Sequence, residues 1–168
     1  MVEQAIEKIM IAASPQRCFE AAIDFKKYPL WARDIKNIEI LSRDDLGRAV
    51  DVEYTAAAMG RSIAYTLSYS YASDPLRLTW KLKKGDAVTH LEGGYKFESA
   101  SDAEDDSEDS SSTAYEFNGE VTEVSYYLAV ELAVSLPSFA KRRVEDRIMH
   151  TALDELKHYV ETSAANSG

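Results

Sequence analysis

The C-terminal part of the chain contains one long amphipathic segment, and this segment limits what the rest can form. A helix is predicted from Ser138 to Glu161, because Pro137 ends the preceding run and Ser138 is a suitable N-cap. The apolar stripe comprises Val144, Ile148, Met149, Ala152, Leu153, Leu156 and Val160. Such a helix spans roughly 36 Å. It needs an apolar cover of similar length, which strands of about ten residues can provide.

Segments upstream have the alternation that such a cover requires. Polar and apolar residues alternate along them, which is typical of strands with one buried face and one solvent-exposed face. These predicted strands are Val50–Ala56, Ser62–Tyr71, Leu76–Lys83, Val88–Phe97 and Val124–Val134. Within the fourth of them, Gly93-Gly94 predicts a bulge or a tight bend.

The first part of the chain predicts a strand, two short helices and a second strand. The strand Val2–Ala12 ends at Ser14-Pro15, where serine can cap a helix and proline suits its first position. This helix reaches Lys26-Lys27, and a second short helix covers Pro29–Asp34. The strand and hairpin turn that follow are Ile35–Leu41 and Asp44–Gly47.

Size and composition indicate a single domain. The 168 residues, of which 45% are hydrophobic, can bury one substantial core, which we assign to residues 1–163, with 164–168 as a disordered tail. No apolar run approaches the roughly 18 residues that span a bilayer, and no signal-peptide core is present. We therefore expect a cytoplasmic protein without a transmembrane segment. The single cysteine, Cys18, excludes an internal disulfide.

An acidic, serine-rich tract interrupts the predicted sheet. Residues 99–112 comprise six acids, six serines and two alanines, a composition that predicts a disordered loop insertion. The formal net charge of the whole chain is −10. We expect no nucleic-acid partner, because phosphates would be repelled.

Strands joined by short turns, with helices on one side, predict an α+β domain. In that domain a curved antiparallel sheet of about seven strands wraps around the long C-terminal helix.

Four motifs resemble a known family. They are Tyr28-Pro29-x-Trp31, Ile38-Glu39-Ile40-Leu41 followed by Gly47-Arg48, Leu91-Glu92-Gly93-Gly94-Tyr95, and Leu136-Pro137-Ser138-Phe139-Ala140-Lys141-Arg142-Arg143. Their order and spacing resemble the polyketide cyclase/dehydrase branch of the START-like superfamily, and coenzyme Q-binding relatives are similar. The resemblance implies a helix-grip fold with a hydrophobic cavity between sheet and helix. It implies no particular reaction, because members include both cyclases and lipid carriers.

The inward faces of the predicted strands are rich in aromatic residues that carry one polar atom. Such side chains suit an apolar ligand with a few polar groups, although a packed core with hydroxyls at its rim is the alternative. The predicted ligand-binding residues are Trp31, Tyr54, Tyr65, Leu67, Tyr69, Trp80, Tyr95, Tyr126, Met149 and Leu153.

No catalytic constellation is evident in the sequence. The histidines His90, His150 and His158 are predicted to face outward, and no HExxH, CxxC or nucleophile-elbow motif is present. We therefore predict no catalytic residue, metal site or cofactor. The basic run Lys141-Arg142-Arg143 at the helix start could attract an anion, or it could be neutralised by Glu145 and Asp146.

Three functions remain open from the sequence. The leading one is the binding or carriage of a small hydrophobic molecule such as a lipid, an isoprenoid quinone or a polyketide, with transient membrane contact. The second is a polyketide aromatase/cyclase, and the third is a protein-interaction module without a ligand. The sequence makes no prediction of oligomeric state.

Overall fold

The computed structural model describes residues 5–58, 60–73, 76–100, 120–133 and 137–166. These residues form a seven-stranded antiparallel sheet with the strand order β1-β7-β6-β5-β4-β3-β2. The strands are β1 (Ala5–Ile11), β2 (Ile35–Ile40), β3 (Asp51–Ala58), β4 (Arg61–Ser73), β5 (Leu76–Gly85), β6 (Val88–Ser99) and β7 (Thr122–Leu132). The predicted α+β helix-grip fold is confirmed.

Two short helices follow β1. Helix α1 (Pro15–Ile23) begins as predicted, because the Ser14 hydroxyl accepts a hydrogen bond of 3.1 Å from the Arg17 backbone N–H. It ends earlier than predicted, and a turn of 3₁₀ helix (Phe25–Lys27) intervenes before α2 (Tyr28–Trp31). The second helix is therefore shorter than the predicted Pro29–Asp34.

The first hairpin turn forms where it was predicted. Gly47 has φ = 80°, a conformation that glycine adopts without strain. The Asp44 carboxylate accepts hydrogen bonds of 2.9 Å from the backbone N–H groups of Leu46 and Arg48. Other strand ends differ from prediction by a few residues, and β7 is shifted two residues towards the N-terminus.

The prediction of a bulge at Gly93-Gly94 was wrong. Both glycines pair in continuous register with β7, opposite Leu128 and Tyr127. A Cβ on Gly93 would lie 3.2 Å from the Trp80 indole and 2.5 Å from the Tyr127 carbonyl oxygen. A Cβ on Gly94 would lie 2.5 Å from the Tyr127 hydroxyl. Close contacts with Trp80 and with the backbone and side chain of Tyr127, rather than backbone bending, therefore require these glycines.

The long helix α3 (Ser138–Asn166) extends five residues beyond its predicted end, through residues expected in the tail. Its core-facing residues are at most 2% exposed and comprise Met149, Leu153, Leu156 and Val160. Ile148, which belongs to the predicted stripe, lies outside this core: the residue is 38% exposed and lines a cavity instead. The single predicted stripe is in fact two faces, one towards the core and one, with Val144 and Ala152, towards a cavity.

A buried acid joins α3 to the sheet. Glu145 is only 3% exposed, and its Oε2 accepts a 3.2 Å hydrogen bond from the Val130 backbone N–H. Val130 lies past Leu128, the last β7 residue that a described β1 residue pairs with. Glu145 therefore satisfies a backbone donor where that described pairing ends.

The basic residues at the start of α3 contact protein carboxylates. Lys141 Nζ lies 2.9 Å from Glu131 Oε1, and Arg142 Nε lies 4.0 Å from Glu145 Oε1. These contacts favour the interpretation that the protein's own acids neutralise the run, although Glu131 was not foreseen.

Apart from residues 99 and 100, the predicted acidic loop lies outside the described residues, and its disorder stays a prediction. Within the parts of the chain that the structure covers, no helix has the length and apolar character needed to cross a membrane.

Candidate functional site: an aromatic cavity between the sheet and the long helix

A cavity of about 250 Å³ lies between the sheet and one face of α3. Its wall includes every predicted ligand-binding residue from the sheet and α2: Trp31, Tyr54, Tyr65, Leu67, Tyr69, Trp80, Tyr95 and Tyr126. Met149 and Leu153 are not part of this wall, because they point into the packed core on the other face of α3. The structure therefore does not place these two predicted residues in the cavity wall.

Cross-strand pairing builds the aromatic wall. In an antiparallel sheet, residues directly opposite each other project to the same face. The register places Tyr54 opposite Tyr65, Tyr69 opposite Trp80, and Tyr95 opposite Tyr126. Their ring centroids are 5.3, 5.8 and 4.7 Å apart, in that order. The indole of Trp80 also lies 5.5 Å from the Tyr126 ring, so the pairs join into one continuous surface.

Some of the tyrosine hydroxyls are satisfied within the protein. Tyr54 and Tyr69 share a hydrogen bond, and Tyr28 donates to the backbone carbonyl oxygen of Ala22. The hydroxyls of Tyr65 and Tyr126 have no hydrogen-bond partner among the described residues, and the same holds for Tyr95. Tyr126 and Tyr95 are each only 6% exposed. A hydroxyl group without a protein partner can bond to water or to a ligand, so these three are available to either.

These phenols stay neutral over the physiological pH range. Burial, with a contribution from the Asp34 charge, raises the pKa of Tyr65 to about 12. Burial likewise raises the pKa of Tyr95 and Tyr126 well above the ordinary value, with smaller contributions from neighbouring groups. The cavity therefore offers hydrogen-bond donors without offering a phenolate base.

Polar groups from α3 and from the segment after α2 lie where the cavity reaches the surface. Asp34 and Ile148 are exposed and line the cavity, together with Thr151 and Glu155. Glu155 accepts hydrogen bonds of 3.1 and 3.3 Å from the Arg33 backbone N–H. Sequence reasoning missed Glu155 and Thr151, although both continue the helical spacing that begins at Val144 and Ile148.

An aromatic contact also links α2 to α3 at this side of the cavity. The Trp31 indole stacks on the Tyr159 ring, with centroids 5.3 Å apart and an interplanar angle of 14°. The indole nitrogen is buried without a hydrogen-bond partner among the described residues. The Trp31 N–H is therefore a buried donor that no described residue uses.

Other reactive groups lie away from the cavity. The described residues contain no group of three His, Cys, Asp or Glu side chains that could hold a metal ion. Cys18 is fully buried, and burial raises the pKa of its thiol to about 11. It is therefore a protonated core residue rather than a nucleophile.

Solved structures share this architecture at low sequence identity. A START superfamily protein from Mycobacterium smegmatis gives a TM-score of 0.79 at 20% identity, covering 95% of this chain and 97% of that one. The Zhui aromatase/cyclase from a Streptomyces species gives 0.77 at 13% identity, covering 100% and 99%. A protein from Thermus thermophilus gives 0.71 at 20% identity, covering 96% and 99%. At these identities the similarity establishes the fold.

The family comparison extends over most of the sequence. No significant match was found among curated protein sequences. The family model described as polyketide cyclase/dehydrase and lipid transport matches residues 11–157, which include the first helices, strands β2 to β7 and most of α3. The chain therefore belongs to the polyketide cyclase/dehydrase and lipid transport family.

Proposed function

We propose that the protein binds a small hydrophobic molecule in the aromatic cavity and releases it unchanged. The observation that carries this proposal is the combination of an apolar wall with three inward phenol hydroxyls that have no protein partner among the described residues. A lipid, an isoprenoid quinone or a polyketide with a few oxygen atoms matches that chemistry.

The protonation state of the wall favours binding over catalysis. A general base needs a pKa near the working pH, whereas the cavity tyrosines are shifted upward, away from it. Phenol donors can hold a ligand carbonyl or hydroxyl without removing a proton from it.

A polyketide aromatase/cyclase is the second candidate, and one observation favours it. The neutral hydroxyls of Tyr65, Tyr95 and Tyr126 lie in one cavity, where they could polarise a substrate carbonyl. A structural neighbour is described as an aromatase/cyclase, which makes the same reaction class worth testing here.

The test combines ligand recovery with a filled-cavity variant. Native mass spectrometry of the purified protein should detect a bound hydrophobic molecule, and calorimetric titration with 9-anthracenemethanol should show saturable binding. Leu67→Trp should abolish both, because Leu67 lines the cavity and is 5% exposed. Ser70→Trp, on the opposite face of the same strand, should bind normally.

Two outcomes would overturn the proposal. Wild-type protein that binds neither a co-purifying molecule nor the probe would remove the ligand-binding function. A ligand recovered with altered bonds or mass would replace carriage by catalysis and make Tyr65, Tyr95 and Tyr126 candidates for general acids.

A further inference from the structure

The charges around the cavity have one sign. Asp34 and Glu155 both line it, and no lysine, arginine or histidine does so among the residues whose side chains the structure describes, a set that does not include Arg61. The Glu155 side chain is 18% exposed, so water screens its charge only in part.

Both carboxylates act on the unpartnered hydroxyls inside. Besides burial, the Asp34 charge raises the pKa of Tyr65. Burial and the neighbouring Tyr28 raise the pKa of Tyr95, and Glu155 adds to that effect. The two carboxylates that line the cavity therefore place negative charge near the hydroxyl donors of its wall.

The cation that contacts Glu155 compensates its charge only in part. Arg33 Nε lies 3.9 Å from Glu155 Oε2, but the arginine side chain is 88% exposed. An exposed guanidinium in water contributes little to the potential inside an apolar cavity. Asp34 has no ion pair among the side chains that the structure describes, so only water screens its charge.

We infer that the cavity selects its ligand by charge, with Asp34 and Glu155 excluding anions and admitting uncharged or cationic molecules. This inference rests on the proposed ligand-binding function and narrows its ligand class. A free fatty acid would bring a carboxylate either to these two acids or into an interior that offers it no described cation. An alcohol, a ketone or an amine of the same shape would meet phenol donors without that penalty.

Three probes of nearly equal shape test the inference. They are 9-anthracenemethanol, 9-anthracenecarboxylate and 9-(aminomethyl)anthracene, titrated calorimetrically at pH 7. We expect the carboxylate to bind at least about tenfold more weakly than the alcohol, and the amine to bind at least as tightly. Raising the salt concentration should reduce the differences in affinity among the three probes, because salt screens the charges of Asp34 and Glu155.

Charge-neutralising variants separate the effect of Asp34 and Glu155 on probe affinity from the effect of the protein's net charge. Asp34→Asn combined with Glu155→Gln should bring the carboxylate to within about twofold of the alcohol. The control Glu39→Gln with Asp154→Asn changes the net charge equally at exposed positions outside the cavity wall and should leave the preference intact. If the double variant fails to fold, the exposed Asp34→Asn alone should still reduce the preference.

The outcomes distinguish this inference from the proposed function. Equal binding of the carboxylate and the alcohol by wild type would refute charge selection while leaving ligand binding intact. A preference that survives in both neutralising variants would also refute it. Failure of every probe and of native mass spectrometry would instead remove the proposed function.

Discussion

Helix α3 has two faces that meet different surroundings, and they lie roughly 125° apart around its axis. One face packs into a solid core through Met149, Leu153, Leu156 and Val160. The other faces the cavity through Val144, Ile148, Thr151, Ala152 and Glu155. The same sheet covers both, so the sheet alone does not explain why only one half is filled.

The difference comes from the helices between β1 and β2. Helix α1 and the following 3₁₀ turn fill the space beside the core-facing side of α3, where Cys18, Ala22 and Phe25 are at most 1% exposed. Helix α2 has only four residues, and none of them is buried. It reaches α3 through Trp31 but does not fill the space behind it. The cavity therefore exists because the covering helices end before the sheet does.

The largest expected effect contrasts the two faces of α3 directly. Leu153→Asp should prevent folding, because an unpaired charge in the core rivals the total stability of a domain, about 5–15 kcal/mol. Ile148→Asp should fold, because that side chain already reaches solvent, but it should weaken binding of apolar probes. Circular dichroism and urea unfolding measure whether each variant folds and how stable it is. An equally destabilised Ile148 variant would contradict the division into two faces.

Alkaline pH should destabilise the protein mainly through the cavity half. The pKa of Tyr65 is about 12 in the folded state and about 10 in the unfolded state. Its contribution to the free energy of unfolding is therefore intact below pH 10 and is lost between pH 10 and 12. The loss is about 1.4 kcal/mol per pH unit for each such tyrosine. Urea unfolding from pH 8 to 11 should show it, and Tyr65→Phe should reduce the slope. An unchanged slope would mean that Tyr65 is accessible to solvent.

Adding volume should affect the two halves unequally. Leu78→Trp enlarges a residue that is 0% exposed in the solid half and should cost about 1–3 kcal/mol. Leu67→Trp can extend into empty space, so its cost should be smaller while probe binding is lost. Chemical unfolding of the two variants compares the costs, and equal destabilisation would indicate that the cavity is already tightly packed.

The smallest effect is expected outside both halves. Replacing residues 101–112 by a short Gly/Ser turn, while keeping Ser99 paired with Thr122, should leave the thermal midpoint within a few degrees. Loss of cooperative unfolding would show that the acidic tract is structural.

The sheet was more predictable from the sequence than the helix. Strand alternation has a strict period of two, so placing Tyr65 on the inner face also places Leu67 and Tyr69 there. The apolar residues of α3 are separable into two faces only when the extent of α1 is known, and this depends on tertiary packing. Glu155 was missed for a related reason, because patterning assigns acids to solvent and does not foresee one in a cavity wall.

Both tryptophans of the chain, Trp31 and Trp80, lie in the cavity wall, one beside α3 and one on the sheet. The indole emission of the folded protein therefore originates entirely at the site. A polycyclic occupant that absorbs in the near ultraviolet would quench both indoles by energy transfer over a few ångströms. Replacing either tryptophan with phenylalanine would leave a single fluorophore. The chain thus contains two intrinsic fluorophores that report where in the cavity a ligand is bound.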